Sequence, residues 1–135
     1  MPGSVLAYDA RAGRVLLAGV RGQPQTWAFL AGKWSQLGAA PPTACPAAGG
    51  VYDSALAAPV IVGASGSDPV AVCAWSGSEW QPRPADRPPP GRYFTQVAYD
   101  DKSSELVMFG GAQSGGGFLD DTWTWTPGRG WSKAY

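Results

Sequence analysis

The dipeptide Tyr-Asp occurs three times, at Tyr8-Asp9, Tyr52-Asp53 and Tyr99-Asp100, with spacings of 44 and 47 residues. A glycine stands ten residues beyond each aspartate, at Gly19, Gly63 and Gly110. Each glycine ends an apolar run: Val15-Leu16-Leu17-Ala18, Val60-Ile61-Val62 and Leu106-Val107-Met108-Phe109. Farther on come two aromatics five or six residues apart: Phe29 and Trp34, Trp75 and Trp80, Trp125 and Trp131. Four landmarks in one order, three times over, define an internal repeat. A repeat of this length restricts the chain to a row of like units, none of which can bury its apolar face alone.

Each unit reads as four short strands. The first ends at Tyr-Asp, the second is the apolar run closed by glycine, and the fourth begins at the last tryptophan. The third alternates, most clearly in Thr122-Trp123-Thr124-Trp125-Thr126, where a period of two places both indoles on one face. Arg11-Ala12-Gly13, Asp101-Lys102-Ser103-Ser104 and the turn at 127–130 supply hairpin punctuation. The Pro-rich stretches at 39–46 and 82–90 are unsuited to central strands and serve as connections. No segment carries a helical stripe. The 19 glycines and 13 prolines suit many turns, while 7 Trp, 5 Tyr and 4 Phe demand a core and argue against disorder.

The third unit carries an apolar run ending in Gly110-Gly111, then Asp121-Thr122-Trp123-Thr124-Trp125, then Trp131, and is preceded by Pro88-Pro89-Pro90-Gly91-Arg92. In this it resembles the kelch family of β-propellers. The first two units are degenerate, with Gly19-Val20 and Gly63-Ala64 in place of the doublet and Cys73 where Trp27 and Trp123 stand. The resemblance implies an all-β chain of three four-stranded antiparallel kelch-like blades, half of a six-bladed propeller. The single domain would span 1–135, with blades at approximately 1–40, 41–87 and 88–135.

Ten Lys and Arg balance ten Asp and Glu, and the cations are scattered, so no basic footprint for nucleic acid or a membrane surface is present. No apolar run approaches the ~20 residues that span a bilayer. The chain has no histidine. This removes the imidazole ligands of copper oxidases and the base of Ser-His and Cys-His nucleophilic systems. Asp9, Asp53 and Asp100 repeat at one position, as a turn requirement would have them do. Asp120-Asp121 beside Ser114-Gly115-Gly116-Gly117 suggests calcium, but the kelch resemblance assigns Asp121 to the motif, and a hard-cation site needs six to eight oxygens. The expectation is therefore no enzyme, no catalytic residues, no metal and no cofactor.

Cys45 precedes a first strand and Cys73 begins a third, with a second strand between them. That separation argues against a bond, and Cys73, at a position otherwise aromatic, reads as a small core residue. Whether the two are bridged, and in which compartment the chain works, the sequence leaves open.

Loop lengths drift between units while strand lengths hold, as expected for binding residues borne on a rigid scaffold. The candidates are Arg21, Gln23, Ser67, Asp68, Arg87, Arg92, Tyr93, Gln113, Phe118 and Leu119, with Arg92 and Tyr93 expected to line a channel mouth. The alternative for Arg92 is a structural one, hydrogen bonding to a neighbouring blade's carbonyls. The kelch resemblance implies a non-catalytic binding or scaffold module that engages a protein partner through its loop face. Carbohydrate binding, or a non-catalytic part of a galactose-oxidase-like enzyme, are the alternatives. Three blades fall short of the four to eight that close a propeller. The expected partner is a second copy, completing six blades as a homodimer; the rival is that further blades lie on a longer or separate chain.

Overall fold

A computed structural model describes residues 4–19, 25–38, 40–42 and 45–135, all of them strand, turn or irregular backbone without a helix. Sheet 1 contains β1 (Val5–Asp9), β2 (Arg14–Ala18), β3 (Trp27–Leu30) and β4 (Lys33–Gln36). Sheet 2 contains β5 (Ala47–Asp53), β6 (Ala58–Gly63), β7 (Ala71–Trp75) and β8 (Trp80–Pro82). Sheet 3 contains β9 (Gln96–Asp100), β10 (Glu105–Ala112), β11 (Phe118–Thr126) and β12 (Gly130–Lys133). Within each sheet the strands pair antiparallel in chain order. The chain is therefore an all-β molecule of three four-stranded meanders.

The first hairpin of each sheet is closed by the repeated aspartate. Asp9 accepts from the Ala12 amide, Asp53 from the amides of Ala55 and Leu56, and Asp100 from the Lys102 amide and the Ser103 hydroxyl. The side chain stands in for a backbone acceptor that the reversing chain does not supply. Turn chemistry thus explains the triplication.

The sheets stack face to face, with their first strands side by side: β5 lies between β1 and β9. Gly49 abuts Val97 of β9, and Gly50 abuts Ala7 of β1. Pleating gives each sheet two faces. Between sheets 1 and 2, Val5, Leu16, Ala18 and Ala28 meet Ile61, Cys73, Trp75 and Trp80. Between sheets 2 and 3, Val60, Val62, Val72 and Ala74 meet Leu106, Met108, Trp125 and Trp131. In both junctions a face of small aliphatics receives a face of large side chains. Across the first, the Trp80 indole N–H donates to the Thr26 hydroxyl at 2.8 Å, so that this buried tryptophan leaves no orphan donor.

The two cysteines are joined, with Cα atoms 6.4 Å apart, which corrects the expectation drawn from the intervening strand. Strand β6 does lie between β5 and β7. However, Cys45 precedes β5 and crosses the end of β6, where the Ala64 amide donates to the Pro46 carbonyl. The chain passes so close to Gly63 that a Cβ there would lie 2.6 Å from Cys45 Cα. The bulge between Ala47 and Gly49 offsets the register at the same place. Cys73 is nonetheless a core residue, fully buried at the junction of sheets 1 and 2.

Candidate binding face

At the end of the molecule opposite the aspartate turns, three segments converge. They are the β6–β7 loop at 64–70, the connection from β8 to β9, and the turn between β10 and β11 at 113–117. Val70 donates its amide to the Pro89 carbonyl, and the Ser114 hydroxyl donates to the Gly66 carbonyl at 3.2 Å. Tyr93 and Ala112 exchange amide–carbonyl bonds of 2.8 Å. The Tyr93 ring covers Gly66 closely enough that any side chain there would displace it. Residues from sheets 2 and 3 thereby share one surface.

Arg92 occupies the base of this surface, and its position overturns the expectation that it is an exposed, channel-lining group. It is completely buried. Its guanidinium donates twice to the Asp121 carboxylate, at 2.6 and 3.0 Å, and once each to the carbonyls of Gly110 and Pro90. The structural alternative, bonding to backbone carbonyls, is what these contacts show, except that the carbonyls belong to its own sheet and connection and not to a neighbouring sheet. Asp121 also accepts from the Trp123 indole at 2.7 Å. The Arg92 guanidinium holds the Asp121 carboxyl below the usual carboxylate range, and the indole bond adds to this. A carboxylate with three charge-satisfying donors is a structural acceptor, and this accounts for the Asp121–Trp123 spacing. The Gly-Gly doublet has a related role. Gly110 and Gly111 adopt φ of 65° and 116°, shift the β10–β11 register, and turn the Gly110 carbonyl onto Arg92.

Of the other expected residues, Ser67 and Asp68 are exposed on the β6–β7 loop, and Gly91 lies against the Asp68 carbonyl. Tyr93 is partly exposed, and Gln113 is exposed and receives the Gly116 amide on its carbonyl. Phe118 is almost fully exposed opposite Ala112, which in turn bridges to Tyr93. These five residues share the face. Leu119 is half-buried opposite Gly111, so it is less available than expected. Arg87 is exposed earlier on the connection and makes no side-chain hydrogen bond or ion pair among the described residues. Arg21 and Gln23 lie outside the described residues.

Phe94 was missed. It is 80% exposed, its ring lies 6.2 Å from that of Tyr93, and its φ is 57°. A bulky residue in the left-handed region is uncommon and costs backbone energy, and such strain clusters at functional sites. No signal in the sequence marks it.

A cleft of about 590 Å³ lies at the opposite end, between the turns of sheets 1 and 2. The Asp9–Arg14 pair and Trp75, whose indole N–H is buried without a partner among the described residues, form part of its wall. No group of three or more metal-ligating side chains comes together among the described residues. No protein-family model matches the chain, and no curated protein sequence matches it either.

Proposed function

We propose that the chain is a kelch-like propeller segment of three blades that serves as a non-catalytic binding or scaffold module for a protein partner. The observation that carries this reading is the set of three exposed aromatic rings, Tyr93, Phe94 and Phe118, on the surface where three loop segments meet. Rigid aromatics beside polar Ser67, Asp68 and Gln113 suit a protein interface, because such rings bury much area with little loss of side-chain freedom. The stacked meanders with adjacent first strands, and the Arg92–Asp121 pair behind the glycine doublet, support the propeller part of the reading. Carbohydrate binding is the second reading, favoured by the same rings beside the Asp68 carboxylate.

The test compares wild-type chain with a Phe94→Ser/Phe118→Ser variant on protein and glycan arrays. Protein ligands bound by wild type and lost by the variant support the proposal. Glycan ligands with the same dependence would move the assignment to carbohydrate binding. Ligands that bind both forms equally would remove this face from consideration.

A further inference from the structure

The two junctions inside the chain follow one rule, and a third instance of it is left half-made at each end of the stack. Aligned on the repeat, Phe29 and Trp34 of sheet 1 correspond to Trp75 and Trp80 of sheet 2 and to Trp125 and Trp131 of sheet 3. Trp75 and Trp80 are each 4% exposed, being covered by sheet 1; Trp125 and Trp131 are 2% and 7% exposed, being covered by sheet 2. Phe29 and Trp34 are 37% and 48% exposed. They share a face with Tyr8, Val15, Leu17 and Trp27 through the pairings of β1 to β4. The same position is thus buried twice and bare once, and the bare face is the large-residue type.

The other end of the stack exposes the side that serves as the receiving face in sheets 1 and 2, with Phe109 where they carry Ala18 and Val62 and Gln96 where sheet 1 carries Val5. The free face of sheet 3 presents Ala98, Val107, Phe109, Thr122 and Thr124, which the cross-strand register places together. Thr122 stands one residue before the third-strand landmark, as does Thr26 in sheet 1, and Thr26 is the residue that accepts from Trp80. We propose that the bare face of sheet 1 is covered by the free face of sheet 3 of a second copy, the Trp34 indole donating to the partner's Thr122 hydroxyl as Trp80 donates to Thr26. This inference rests on the propeller reading above. Two copies related by a two-fold axis form the junction twice and close six sheets into a ring, whereas any arrangement that fails to close would grow as a filament. The apolar face of sheet 1 is of the kind that marks an interface.

The experiment is light scattering of the 135-residue chain over a wide concentration range, with three variants. Wild type is expected at twice 14.0 kDa, about 28 kDa. Trp34→Arg and Phe109→Arg, at half-exposed positions on opposite faces, are each expected at 14.0 kDa with unchanged far-ultraviolet dichroism. Thr26→Val should lower the urea midpoint of the Trp34→Arg monomer, because it breaks the junction inside the chain. A monodisperse wild-type monomer, a dimer that survives both arginine variants, or an open series of masses would overturn the pairing. If Thr26→Val left the monomer's midpoint unchanged, the stacked-sheet reading itself would fail.

Discussion

Arg92 and Asp121 meet through two parallel N–H···O bonds, 29 residues apart in sequence, with the arginine side chain 1% and the aspartate 15% exposed. The pair joins the connection that leads into β9 to the strand β11 at the far side of β10. It therefore fixes the path of the chain beneath the aromatic surface, and both partners are specified by geometry that only a planar guanidinium satisfies.

Replacing Asp121 with Asn leaves the Arg92 guanidinium buried without its counter-charge. Breaking one side of a buried pair costs about 3–5 kcal/mol. The expected outcome is a large drop in the urea midpoint, and Arg92→Lys with Asp121 intact should also lower it, since a single ammonium makes no forked contact. A stability within experimental error of wild type would mean that water reaches the guanidinium.

The same pair sets an acid limit. The folded-state value of Asp121 lies below its ordinary 3.8, chiefly through the Arg92 bonds. The stabilisation is thus fully present above that ordinary value and is lost as pH falls through the lowered one. Asp100, lowered first by the Ser103 hydroxyl, shifts in the same direction. Urea unfolding should give a flat stability from neutrality to about pH 5 and a fall below about pH 4. Part of that fall should be missing in Asp121→Asn.

The Cys45–Cys73 bond closes a segment with a sequence separation of 28. On the chain-entropy estimate such a closure stabilises by about 3–4 kcal/mol. Both sulfurs are buried, so a Cys45→Ala/Cys73→Ala double variant is a cleaner probe than added reductant. Its urea midpoint should fall accordingly, and wild-type protein unfolded without reductant should show no free thiol.

The strands and hairpins were legible because each depends on neighbours in sequence: the period-two alternation of Trp123 and Trp125, or an aspartate reaching an amide two or three residues on. The interactions that cross the repeat were harder to read. Arginine is ordinarily a surface residue, and nothing near Arg92 announces a carboxylate on β11, so its sequence context points to an exposed position. Strand order argues against the disulfide, but it carries no information about where Cys45 crosses the end of β6. The bulge at Ala47 and the bare backbone of Gly63 decide that crossing. The positive φ of Phe94 falls between the Arg92 anchor and β9, and a phenylalanine in sequence gives no warning of it. Of the expected ligand residues, Ser67, Asp68, Arg87, Tyr93, Gln113 and Phe118 are exposed, Leu119 is half-buried, and Arg92 is buried.

The contrast between the two faces of each sheet gives the stack a direction. A unit like sheet 2 carries a socket of Val60, Val62 and Ala74 on one side and a plug of Trp75 and Trp80 on the other. Copying such a unit in tandem would insert a new plug into an existing socket and present an identical socket to the next sheet. Genes encoding rows of this kind can therefore lengthen or shorten by whole units without redesigning any junction, whereas a unit inserted in reverse orientation would set tryptophan against tryptophan and leave two valine faces with nothing to receive.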